Sequence, residues 1–336
     1  MALLILALGA AFVPLPAAAV ERIFSGGIYP VIQRTLTRIS NLSPVALLDV
    51  TVGMLLVVWL LRLIVRARSA GRKTSAAAAL LRLGRAGAVL YLLFLALWGL
   101  NYRRVPLEEK LDFNRSRITT ERAGELAGEA ARRVNALHSA AHAQRVDRAR
   151  LATAFASAER VLGAAGTTRL GRPKRSLLGL YFRQAAIDGM TNPIFLEVIL
   201  NPDLLDVEQP EVLTHEWAHL AGFADESEAN FLAWLTCLRG DPLAQYSGWL
   251  AAYRRATSAL PQGMRGGLPR LDEGPRGDLR AIAARYGRSS RVMRRAANDA
   301  YDTYLKANRI PEGIANYDAV LPLMLGTTLG SDWTPR

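Results

Sequence analysis

Apolar residues crowd the first hundred positions of this 336-residue chain, and that crowding limits its architecture more than any other feature. Three runs stand before residue 105: Ala2 to Val20, Val45 to Val65 with Asp49 and Arg62 near its ends, and Ala86 to Leu100. Inside a bilayer the backbone must satisfy its own hydrogen bonds, so such runs cross as helices, and each needs about 20 mostly apolar residues. The second run has that length, whereas the first, which contains Pro14 and Pro16, and the third are marginal. We read three helices over about 2–20, 45–65 and 86–102. The first has no positively charged leader, which favours a retained helix over a cleaved signal peptide despite the small residues of Pro16-Ala-Ala-Ala-Val20.

The formal charge of +13 is unevenly placed. Residues 1–104 hold 12 Lys and Arg against Glu21 and Asp49, and the remainder holds 30 basic against 27 acidic residues. The excess belongs to the membrane segment, which argues against a nucleic-acid-binding role. Six bases, Arg66, Arg68, Arg72, Lys73, Arg82 and Arg85, lie between the second and third runs, where the positive-inside rule makes the connection cytoplasmic. Three crossings then deliver residues 105–336 to the outer side. Cys237 is the only cysteine, so no intrachain disulfide holds that part.

Residues 21–44 form a connector in which Val31 to Ile39 are spaced as a short amphipathic helix. Thr119 to Leu162, rich in Ala, Arg, Glu and Leu, predicts one long helix or a helical pair. Strand-like runs follow at Leu178 to Phe182 and Ile194 to Leu200. The second, with Ile194, Phe195, Leu196, Glu197 and Val198, is expected to be an edge strand that pairs with an extended peptide substrate. Pro261 to Gly277 reads as a mobile loop, and residues 278–326 as helix again. The fold class expected is α+β: a three-helix transmembrane anchor over 1–104, then a mainly helical domain with a small sheet over 105–336.

Within that domain the chemistry concentrates at His215-Glu216-Trp217-Ala218-His219. Pro210 suits the first turn of a helix through this segment and Gly222 its end. Histidines at i and i+4 share one face, so both imidazoles can reach one tetrahedral ion while Glu216 faces its open side as general base. Zinc is the cofactor this pattern fits. Asp225, Glu226 and Glu228 follow on a second predicted helix. With Asp225 and Glu228 engaged in a capping box, Glu226 is left as third ligand and Glu228 as the alternative. Asn230, four residues beyond Glu226, could orient a ligand histidine. Tyr317 is a candidate donor to an oxyanion, with Tyr301, Tyr304 and Asn308 as rivals. His138 and His142 repeat the i,i+4 spacing without a glutamate between them and read as an exposed pair on a cationic helix. Trp217 and Trp234 read as core aromatics.

Four segments together resemble the bacterial membrane family called domain of unknown function 3810. They are Glu21 to Pro30 (ERIFSGGIYP), Trp98 to Tyr102 (WGLNY), His215 to Phe231 (HEWAHLAGFADESEANF) and Tyr301 to Tyr317 (YDTYLKANRIPEGIANY). The resemblance implies a bacterial inner-membrane protein with a zincin-like domain of the gluzincin type, whose third ligand is a glutamate on a second helix. The Glu226-x-Glu228-Ala229-Asn230 segment is also similar to that of a cytosolic group of repressor-cleaving and stress-response metallopeptidases, in which the first glutamate is the ligand. The expectation is therefore a multi-pass zinc metallopeptidase acting on a peptide or protein substrate at the outer membrane face. A catalytically inactive peptide-binding sensor or assembly factor is the alternative. Cleavage within the bilayer is disfavoured by Asp206, Glu208, Glu211 and the acids after His219, each costing about 2.5–3.5 kcal/mol at the centre of a spanning helix.

Overall fold

The computed structural model describes residues 2–68, 76–164 and 168–336. It is 69% helical with one three-stranded sheet, so the α+β expectation holds in the sense of a helical body carrying a small sheet. Two helices are long and apolar enough to cross a membrane, Leu47–Val65 and Ala77–Leu97, and a bent pair makes up to three.

The first apolar run departs from the straight helix expected over 2–20. Its helix stops at Phe12, and the chain turns by 109° before continuing over 17–40. Pro14 and Pro16 supply no N–H to the helical ladder and force the break. The carbonyls freed there are taken up by arginines: Arg103 donates to Ala10 O, and Arg309 to Ala11 O and Val13 O. The helical stretch beyond includes a π segment, Val20–Ile28, and the helix Tyr29–Ser40. The latter covers the amphipathic helix expected at 31–39, but its buried face is polar: Tyr29, Gln33, Thr37 and Ser40 face the body, while Val31 and Ile39 are exposed.

The third apolar helix begins earlier than expected, spanning Ala76–Leu97. Arg82 and Arg85 therefore lie on this helix rather than in a connecting loop. Arg72 and Lys73 lie outside the described residues. The C-terminal end of the first helix, the N-terminal end of the second and the C-terminal end of the third all meet the body. Arg103 reaches the first, Glu197 accepts hydrogen bonds from Leu47 N and Leu48 N at the start of the second, and Trp98 continues the third into the core.

In the body, Thr120–His142 and Arg148–Val161 form a helical pair, the second capped by Asp147. The sheet has the order β1 (Pro173–Lys174), β3 (Glu197–Leu200), β2 (Gly189–Asn192). β3 pairs in parallel with β1 and antiparallel with β2. This corrects the edge-strand expectation. Glu197 and Val198 lie in the central strand and are fully buried; Ile194, Phe195 and Leu196 form the turn before it, where the Asn192 side chain accepts from Ile194 N and Phe195 N. Glu197 could not serve a substrate, because its carboxylate caps the second apolar helix. The edge beside the histidine helix is β2.

Leu178–Ala185 is a helix, not the strand expected from its apolar texture. Gly179, Phe182 and Ala185 face inward at spacings of three, whereas Leu177, Leu180 and Tyr181 face outward. Exposed leucines on both sides of the buried ones blurred the period. The Pro261–Gly277 segment is likewise more ordered in pattern than expected, with short helix Gln262–Arg265 and the longer Glu273–Gly287 beginning inside it.

Candidate metal centre

The histidine helix, Gln209–Leu220, is buried from Val212 through Leu220, as suits a helix with core on all sides. Pro210 stands in its first turn, and it ends in a Schellman motif: Gly222 N donates to His219 O and Phe223 N to Ala218 O, both at 3.0 Å. Gly222 occupies the left-handed region with φ of 88°, and a side chain there would crowd Tyr29 and Asn101. The same turn aims Phe223 O at His219 Nδ1, 2.8 Å away. That contact places a proton on Nδ1, so Nε2 is the nitrogen left to face a metal.

The turn also answers how so short a connection returns a carboxylate to the histidines. Asp225 caps the second helix, Glu226–Leu238, by accepting from Ser227 N and Glu228 N. Asn316 bridges the same junction, donating to Asp225 and accepting from Ser227 N. Glu226, wholly buried at the first position, points back at the histidines. Its Oε2 lies 3.2 Å from His215 Nε2 and 3.4 Å from His219 Nε2, and the two nitrogens are 3.1 Å apart. A tetrahedral zinc with ligands at about 2.0–2.1 Å separates them by about 3.3–3.4 Å, so these three atoms form one face of such a site. The three atoms could hold a metal ion among them.

The electrostatics agree. Burial works against a charged His219, but the Glu226 carboxylate beside it outweighs burial and pushes the ring up to about 9. Burial alone would raise Glu226, yet the facing His219 and His215 hold it well below the usual carboxylate range. Tyr301 donates to the other oxygen, Oε1, fixing the carboxylate's direction.

Glu228 turns away: its carboxylate accepts from Leu107 N at 2.5 Å, and burial pushes its pKa up to about 7. The expected capping box is thus half formed, by Asp225 alone. Asn230 also has a different partner, its Oδ1 accepting from Arg255, which is paired in turn with Glu211. Among the described residues His215 Nδ1 has no hydrogen-bond partner, so Asn230 does not orient it.

Glu216 is buried beside the cluster, and its Oε2 accepts from Thr191 Oγ1 at 2.7 Å. Burial raises its pKa, opposed by His215 and His219 and by the Thr191 hydrogen bond. Thr191 belongs to β2, and its neighbour Gly189 leaves the space Glu216 fills: a Cβ there would lie 2.6 Å from Glu216 Oε1. Tyr317 stacks on the His215 ring, centroids 6.1 Å apart. Burial and the Glu226 charge hold the Tyr317 and Tyr301 hydroxyls well above the ordinary phenol range, so both remain donors. Tyr304 instead meets the Tyr102 hydroxyl at 3.5 Å, and Asn308 donates to Tyr304 O. Trp217 and Trp234 are core residues.

The N-terminal part of the chain grips this site directly. Trp98, next after the third apolar helix, donates to His219 O at 3.0 Å and sets its ring edge-on to the imidazole. Tyr29 donates to Leu220 O at 2.8 Å and Arg104 to Gly222 O at 3.1 Å. Leu220 O is a carbonyl that the helix end leaves bare, while His219 O also takes Gly222 N and Gly222 O lies just beyond the helix. Sequence spacing did not reveal Thr191, Phe223 O or these caps, although Trp98 and Tyr29 fall inside two of the segments that carry the family resemblance.

Residues 24–325 match the family described as Protein of unknown function (DUF3810). The chain belongs to that family. Among curated proteins and among solved structures, none matches this DUF3810 member.

Proposed function

We propose that this DUF3810 protein is a membrane-anchored zinc metallopeptidase. The observation that carries the reading is the convergence of His215 Nε2, His219 Nε2 and Glu226 Oε2 within 3.1–3.4 Å, with a buried Glu216 from the same helix beside them. Zinc held there supplies a Lewis acid that polarises a carbonyl and makes water acidic near neutral pH. Glu216, whose burial raises its carboxyl pKa and so makes it a better base, receives the water proton at its carboxylate and returns it to the departing amine. Thr191 holds the carboxylate in place for both transfers. Tyr317, kept protonated and stacked on His215, is the donor for negative charge developing on the carbonyl oxygen, Tyr301 being engaged by Glu226. The backbone of β2 beside Glu216 offers an extended peptide a strand to pair with. A purely structural metal site has no use for Glu216, which weighs against the non-catalytic reading.

The ends of all three apolar helices that meet the body lie opposite the basic connection, so the positive-inside rule puts the body outside the bacterial inner membrane. Since Trp98 links the third helix to His219, the reacting bond lies close to the bilayer surface, and substrates are polypeptides presented there. Zinc content and peptide hydrolysis of the full-length chain in detergent, compared with Glu216→Gln, test the proposal. Hydrolysis by the wild type and not by the variant, at equal zinc, is expected; equal hydrolysis by both would remove Glu216 from the mechanism.

A further inference from the structure

The last turn of Thr120–His142 carries His138 and His142, and helix Glu273–Gly287 brings Asp278 against them. Asp278 Oδ2 lies 2.9 Å from His142 Nε2 and 3.6 Å from His138 Nε2, and one ligand atom from each of the three residues fits within 4.8 Å of the others. The rings lie side by side with centroids 4.3 Å apart, tilted by 36° to one another. A hydrogen-bonded histidine–aspartate pair needs one imidazole; here two converge on one carboxylate oxygen that already accepts the Tyr246 hydroxyl at 2.5 Å. Tyr246 sets its ring edge-on to both histidines, at 5.8 and 6.2 Å. Gly274 makes the approach possible, since a Cβ would come within 2.4 Å of the His138 ring.

We propose that His138, His142 and Asp278 form a second, exchangeable site for a divalent transition ion, separate from the buried centre. Two imidazoles and a carboxylate suit zinc, cobalt or nickel rather than magnesium or calcium. Exposure differs from the buried centre: the side chains are 27%, 45% and 14% accessible, which leaves the remaining coordination positions to water and the ion open to exchange. An ion here joins helices that lie 136 residues apart in sequence. Helix Glu273–Gly287 also carries Arg285, which pairs with Glu208 at the start of the histidine helix and with Asp188 before β2. The second ion therefore braces the helix that holds the entrance of both catalytic elements.

The test is cobalt uptake by the metal-free full-length chain, measured by equilibrium dialysis and visible absorption. The wild type is expected to take up two equivalents, and His142→Ala and Asp278→Asn one each, with the retained equivalent at the buried centre reporting that the variants are folded. His215→Ala is expected to keep the exposed equivalent. Uptake by His142→Ala and Asp278→Asn equal to that of the wild type overturns the second site. Should the buried centre bind nothing, the wild type takes up one equivalent that His142→Ala loses, so failure of the peptidase reading and failure of this site give different results.

Discussion

His215/His219 and His138/His142 have the same spacing on equally regular helices, yet their surroundings give them different capacities. The first pair sits on a helix buried on all sides, with a carboxylate returned to it by a tight turn seven positions after His219 and a carbonyl holding the proton on Nδ1. The second stands at the end of a helix with one exposed face and meets its carboxylate only through a distant element. Spacing alone thus gives two nitrogens on one face. Burial, a third ligand and a nearby base turn such a pair into a site able to do chemistry.

The largest expected effect separates the pairs outright. His215→Ala should abolish hydrolysis, whereas His142→Ala, which removes only a brace that touches neither ligand nor base, should leave most of it. A fluorogenic peptide assay on both variants measures this, and equal losses would erase the distinction. Glu216→Gln comes next, with hydrolysis expected to fall about 10²–10⁴-fold at unchanged zinc content.

Gly222→Ala probes the turn that gives the buried pair its carboxylate and its tautomer. The left-handed backbone should cost about 1–2 kcal/mol in urea unfolding, and displacement of Phe223 O should weaken zinc about 10–100-fold. Unchanged zinc affinity would show that the turn positions no ligand.

Acidity gives the gentlest comparison. In the metal-free protein His219 has its pKa raised from 6.5 to about 9, so the pairing with Glu226 stabilises the fold fully below pH 6.5 and is lost as pH rises through about 9. Zinc must displace that proton. Affinity at the buried centre should therefore climb about tenfold per pH unit between pH 7 and 9, as competition with a pH-buffered chelator would record. A flat profile would mean that no proton is displaced there.

The legible parts of the molecule were those fixed by short-range pattern. Pro210, Gly222 and Asp225 punctuate the two site helices, and i,i+4 geometry aligns the histidines, so His215, Glu216, His219 and Glu226 could be named from spacing and punctuation. The first apolar run also carried its correction in plain view, because Pro14 and Pro16 end a helix. Parts that depended on non-local contact were not legible. Nothing near Glu197 in sequence says that it caps a helix beginning at Leu47, or that β3 pairs with both β1 and β2 and so is the central strand. Glu228 looked like a helix cap until Leu107 N claimed it, and Asp278 is too far along the chain to be associated with His138. Leu178–Ala185 misled for a different reason: Leu177 and Leu180 face outward, so the amphipathic contrast fades.

The central claim is that His215, His219 and Glu226 hold zinc while Glu216 stands beside it unbound. Its most direct measurement is elemental analysis of the full-length wild type, His215→Ala and Glu216→Gln, each also carrying His142→Ala to empty the exposed pair and all purified without chelators. Zinc near one equivalent in the wild type and Glu216→Gln, and none in His215→Ala, is the predicted result. A zinc-free wild type, or zinc retained in His215→Ala, would contradict it.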